Sequence, residues 1–350
     1  MHRFAAACLF TVLTASAAGA QELVLESHTV RDRMAVHQDA VTFLKPKGWT
    51  VSGGIQWYLD SAHQACLEIK VANPDGLEQV ETLPWCYLTW QSHGMIKPGT
   101  NYLGTIVHPP VEDPAKVLRE LVLPHVRGKQ NWRFVSATEL PEIAKMLAKD
   151  LSGAKVRAAK VRIEYEVNGQ TVEEDFYLSI FVYSLPANGY TFYSWGPAWT
   201  PFALRAAKGK LDEATPMLLS IVNSAQINPK WFGEYMYVCE LFQERMKSGI
   251  DNAKKLSDTI TKNSAEISKM YSDAYAQRQA SQDRLAQQFS DTIRGVQRWH
   301  SPQETYPVQL PGGYQYAWVS SSGTYVLSNS ANFNPNVGSN GTWTQLKQAK

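Results

Sequence analysis

The sequence gathers acidic residues into two groups whose spacing suits acid–base chemistry. Glu164 and Glu166 fall on one side of an alternating run, and Glu173, Glu174 and Asp175 lie just beyond an Asn168-Gly169 pair. An Asn-Gly turn brings the second group back across from the first, and two facing carboxylates are what glycoside hydrolysis requires. The same residues have a plainer role. Val161, Ile163, Tyr165 and Val167 alternate with Arg162, Glu164 and Glu166. This pattern predicts a strand with a solvated charged face, neutralised by cross-strand pairs to Lys160 and Arg162. The solvated face is the stronger expectation.

Other catalytic arrangements are missing from the sequence. It contains no G-x-S-x-G elbow, H-E-x-x-H, C-x-x-C, P-loop or G-x-G-x-x-G. The histidines at 28, 37, 63, 93, 108, 125 and 300 are scattered without metal-ligand spacing. No cofactor or metal is expected, and a non-enzymatic role is favoured. Aromatic residues are the other candidates. "GYTFYSWGPAWTPF" (Gly189 to Phe202) offers Trp195 and Trp199 as a platform for sugar rings or apolar partners. Buried rings covering a sheet edge are the simpler reading. Near the C-terminus, Tyr314, Trp318, Tyr325 and Trp343 form a second aromatic group.

These residues need elements to hold them. "CLEIKVANPDGLEQVETLPWC" reads as a hairpin, Leu67 to Ala72 against Leu77 to Leu83, with Asn73-Pro74-Asp75-Gly76 turning and Gly76 free to take positive φ. Cys66 and Cys86 flank it and are the expected disulfide pair in an oxidising compartment, leaving Cys239 over. Asp113 caps a helix that starts at Pro114 and is expected to stop at Pro124; a second helix is predicted over Leu140 to Ala148. The NG hairpin returns as Phe176 to Tyr183, apolar enough for a central strand covered on both faces. "LDEATPMLLSIVNSAQ" predicts an amphipathic helix with Leu211, Ala214, Leu218, Ile221 and Ala225 on one side.

The order of "FLKPKGW" (Phe43 to Trp49), the NPDG hairpin, a helix, the NG hairpin, an aromatic strand and "LLSIVNSAQINPKW" (Leu218 to Trp231) resembles the PsbP-like α/β/α sandwich. The resemblance covers about 200 residues. It implies an α+β fold, an antiparallel sheet flanked by helices, and an adaptor or assembly role rather than catalysis, although fold does not fix function.

Residues 232–300 contain no proline and are rich in Ala, Lys, Glu and Gln, which predicts one long helix or a helical hairpin. Ile250, Ala253, Ile260, Ile267, Tyr271, Ala274 and Leu285 form a seam interrupted by polar residues, so self-association through 250–293 is an option and a strong coiled coil is not. Residues 301–350 shift to Pro, Gly, Ser, Asn and aromatics. Their spacing resembles a WW module, but Tyr314 stands where a Trp is expected and Val326 where a second groove aromatic would be. A small aromatic β-meander with a minimal core of its own is the expectation. The whole tail also resembles the C-terminal segment of bacterial secreted proteins of unassigned activity that carry sandwich-like N-terminal regions.

The chain begins with a charged pair, a short apolar run and Ala18-Gly19-Ala20, the form of a secretory signal over residues 1–20. No later run approaches the length of a membrane span. A net charge of +2 gives no broad basic face, so a nucleic-acid partner is not expected. The remaining length predicts more than one structural unit: 21–231, 232–300 and 301–350. The combined expectation is a periplasmic or secreted, non-enzymatic binding or scaffold protein of the bacterial envelope. It would act on an envelope protein or glycan through exposed aromatics. A carbohydrate- or peptidoglycan-binding module and a hydrolase with its site between sandwich and helix are the alternatives.

Overall fold

A long hairpin on Asn168-Gly169 forms the spine of the fold, with φ of 51° and 76° at these two residues, as a type I′ turn demands. The structure is a computed structural model that describes residues 22–94, 96–248, 275–276, 278–280, 296–302, 307–338 and 341–349. Among them the chain is mixed α/β and strand-rich. Eight strands come first: β1 (Leu23–Arg31), β2 (Asp39–Pro46), β3 (Thr50–Trp57), β4 (Ala65–Ala72), β5 (Gln79–Thr82), β6 (Leu88–Gln91), β7 (Asn101–Tyr102) and β8 (Thr105–Val107). A helical segment follows as α1 (Pro114–Val117), a π turn (Leu118–Val122) and α2 (Leu123–Val126). Next come β9 (Arg133–Glu139), α3 (Pro141–Ala148), β10 (Lys155–Val167), β11 (Gln170–Ala187), β12 (Tyr190–Pro197) and β13 (Phe202–Ala207). The remaining elements are α4 (Leu211–Asn223), β14 (Gln226–Ile227), α5 (Pro229–Ser248), β15 (Val296–His300), β16 (Val308–Pro311), β17 (Tyr316–Ser320), β18 (Tyr325–Ser328), β19 (Trp343–Gln345) and β20 (Lys347–Gln348).

The main sheet forks at β11. β10 runs along one edge of it, with β9 beyond. Along the other edge β13 pairs with Val172 to Tyr177 and β12 with Ile180 to Ala187. One branch continues through β5, β4 and β3, the other through β6, β8 and β7, and the β6/β8 pair is parallel. Side-chain alternation gives β10 and β11 two apolar faces. Val161, Ile163, Phe176 and Ile180 pack against Leu118 and Leu123 of the helical segment. Ala158 and Tyr177 join a second core with Ile143 and Leu147 of α3 and Leu211 and Leu218 of α4.

Several expectations are corrected. The helix does not stop at Pro124. Having no N–H, Pro124 cannot bond back to the preceding turn, and the backbone instead widens to an i→i+5 bond from Leu123 to Leu118 before continuing to Val126. Gly76 does not take positive φ; a Cβ there would meet the side-chain ends of Glu78 (2.2 Å) and Asn73 (2.5 Å), which would have to move aside. The charged hairpin face is only partly solvated: Glu166 is exposed, but Asp175, which pairs with Arg162, is 0% exposed, as is Glu174 on the other face. Glu174 takes two hydrogen bonds from Arg127 (2.6 and 2.9 Å) and one from Tyr165 (2.9 Å). Asp175, on the opposite face, is held by Arg162 and Lys160. Cross-strand pairing is present, but burial forces it to be complete.

The tail is built into the N-terminal strands. β18 pairs with β1 through Leu23↔Leu327 and Leu25↔Tyr325, giving a sheet ordered β14-β2-β1-β18-β17-β19. Its core is shared: Leu25 and Leu44 pack with Trp299, Leu310, Val319, Tyr325 and Leu327. The tail aromatics therefore do not form a core of their own. The region expected to be helical up to residue 300 ends instead in β15, paired with β16, because Trp299 is drawn into this core. The signal segment and most of the seam over 250–293 lie outside the described residues.

Candidate functional site

Between the main sheet and the pair α4–α5 the side chains leave a cavity of about 450 Å³. Its floor is Ile69 and Val71 of β4 with Val80 of β5, and its far wall is Val41 and Phe43 of β2. Ile221, Val222 and Ala225 cover it from the end of α4. Trp231, Phe232 and Tyr235 reach it from the first turns of α5, where three- and four-residue spacing puts them on one face. Trp199, in the bend between β12 and β13, completes the lining.

One end of the cavity is a stack of rings. His63 lies on Trp85 with centroids 3.7 Å apart, and Tyr87 meets both edge-on at 5.6 and 5.0 Å. Burial, assisted by the nearby Arg278 guanidinium, pushes the His63 pKa down to about 4, so the ring is neutral at physiological pH. Arg278 is exposed at this rim, its guanidinium 5.5 Å from the Phe232 ring centroid. Asp150 and Leu151, which follow α3, also line the cavity.

The α5 wall is fixed by a buried carboxylate. Asp32, 0% exposed, accepts from the indole nitrogens of Trp57 (2.8 Å) and Trp231 (2.9 Å) and from the backbone amides of Met34 and Ala35. The β1–β2 connection, β3 and α5 therefore meet at one side chain, and the Trp231 ring is held in the cavity wall. Asn228 caps α5 through Lys230 N and donates its own N–H to Ala40 O, tying the helix start to β2.

Of the aromatics singled out from sequence, Trp199 lines the cavity. Trp195 is a fully buried core residue whose indole donates to His108 O at 2.9 Å, so it presents no exposed ring. Trp318 and Tyr325 are buried in the tail, with Trp318 against Phe333; Tyr314 and Trp343 are half-buried there, and none of the four lines the cavity. The expected Cys66–Cys86 bridge is not formed: both are free thiols, as is Cys239, and the Cys66 thiol points to Trp85 O at 3.6 Å. Burial pushes Cys66 up to about 12 and Cys239 up to about 11, which keeps both protonated and weakly nucleophilic. The rim residues His63, Trp85 and Tyr87 are not legible as a site in the sequence. Their signal was the aromatic composition around the two cysteines that flank the NPDG hairpin.

Among the described residues no cluster of His, Cys, Asp or Glu is arranged to hold a metal ion, and no helix is long and apolar enough to cross a membrane. No protein-family model and no curated protein matches the sequence. Among solved structures, the chain is similar to LpqN, described as involved in cell envelope biogenesis of Mycobacterium tuberculosis. The match has 13% identity and a TM-score of 0.20, and covers 59% of this chain and 92% of that one. A likeness of this extent carries no functional argument.

Proposed function

We propose that this is an exported binding protein of the bacterial envelope, periplasmic or secreted, with a PsbP-like layer order, and that it binds an apolar small molecule in the cavity between its sheet and α4–α5. The observation that carries the reading is the cavity itself. Its volume of about 450 Å³ falls within the roughly 300–1,000 Å³ of small-molecule sites, and its walls are mainly aliphatic and aromatic, with a few polar groups. A glycan-stacking role needs exposed ring faces, and the burial of Trp195, Trp318 and Tyr325 removes three of the candidates. Contact with an envelope protein through the tail, and self-association through 250–293, are part of the proposal.

The test uses N-phenyl-1-naphthylamine, an uncharged apolar fluorophore, with the chain lacking residues 1–20. Saturable enhancement is expected, and Ala198→Phe, which places a ring in the cavity, should abolish it while circular dichroism stays unchanged. Enhancement that is absent, or that survives Ala198→Phe in a folded variant, would overturn the reading.

A further inference from the structure

Charged side chains on the cavity lining are few. Around the His63 stack the rim carries one cation, Arg278, lying over Phe232 and, among the described residues, paired with no carboxylate. His63 adds no charge above about pH 4. Asp150, which also lines the cavity, is already engaged within the protein. A mainly apolar cavity whose lining includes a guanidinium that no described carboxylate neutralises is complementary to a molecule that is apolar along its length and anionic at one end.

Resting on the proposed cavity function, we infer that the ligand is a single-chain amphiphile with an anionic head group, of which a fatty-acid carboxylate is the simplest case. The chain lies along Ile69, Val71 and Ile221, with the head at Arg278. Because Arg278 is exposed, its selectivity is that of a partly hydrated ion pair, about three- to tenfold.

Displacement of N-phenyl-1-naphthylamine by three ligands with the same twelve-carbon chain tests this: dodecanoate, 1-dodecanol and dodecylammonium. The expected order is dodecanoate tightest and dodecylammonium weakest, with Arg278→Gln collapsing the order while the fluorophore still binds. Equal displacement by all three in the unmodified protein, or an order that persists in Arg278→Gln, overturns the head-group inference and leaves the cavity function standing. Failure of all three to displace the fluorophore overturns the inference, and failure of the fluorophore to bind at all sinks the cavity function with it.

Discussion

At the scale of single residues, the cavity rim has a pH signature. His63 titrates near 6.5 in the unfolded chain and near 4 in the fold, chiefly because of burial. Between those values the unfolded state takes up a proton that the folded state refuses, so stability falls as pH drops through this window, by at most about 1.4 kcal/mol per unit. Below about pH 4 both states are protonated and the contribution is gone. His63→Phe should lack this slope. Urea unfolding at pH 7, 5.5 and 4.5 reads it as the difference between the two proteins, and identical slopes would show that the ring is not held neutral. Asp32 supports a second expectation. One of its oxygens serves two indoles, Trp57 and Trp231. Asp32→Asn has one acceptor oxygen and loses the charge, so a loss of roughly 2–3 kcal/mol is expected. Tryptophan fluorescence followed through denaturation would register it, with the cavity fluorophore binding more weakly as Trp231 loosens.

At the scale of elements, the buried carboxylates of the NG hairpin are tied to a helix the sequence did not connect with them. Arg127, just past α2, reaches Glu174 and also Glu81, which lies on β5. Among the described residues, Arg127→Met would leave Glu174 with only the Tyr165 hydroxyl. The expected loss is about 3–5 kcal/mol, the usual consequence of stranding a buried charge. Adding Glu174→Gln should recover much of it, and a double-mutant cycle by urea unfolding separates the pair energy from simple loss of packing. The same residues mark what was legible in the sequence. Alternation and Asn168-Gly169 identified the hairpin because its register is local, and spacing identified α3 and α4 for the same reason. Whether Glu174 faces water depends on Arg127 being 47 residues away in sequence and adjacent in space, and no periodicity encodes that. The cavity was hidden similarly: its lining comes from β2, β4, β5, α4 and α5, each of which reads only as core.

At the scale of the whole molecule, the N-terminal strand closes the fold against the C-terminal tail, and the cavity depends on that closure. β2 alternates so that Phe43 points into the cavity wall while Leu44 enters the core shared with the tail, and Leu44 N is also held by Ser224 Oγ at the end of α4. β1 sits between β2 and β18, with Leu25 fully buried at the junction. Leu25→Ala, at a position that is not itself part of the cavity lining, should therefore cost about 2–5 kcal/mol. It should also weaken cavity binding severalfold, since β2 is no longer pressed between α4 and the tail. Ending the chain at Ser301 removes β16 to β20 altogether and should have the larger effect on both readouts. Thermal unfolding and fluorophore titration, run on the same preparations, decide the point. Destabilisation without any change in cavity affinity would mean that the tail stabilises the molecule but does not shape its binding site.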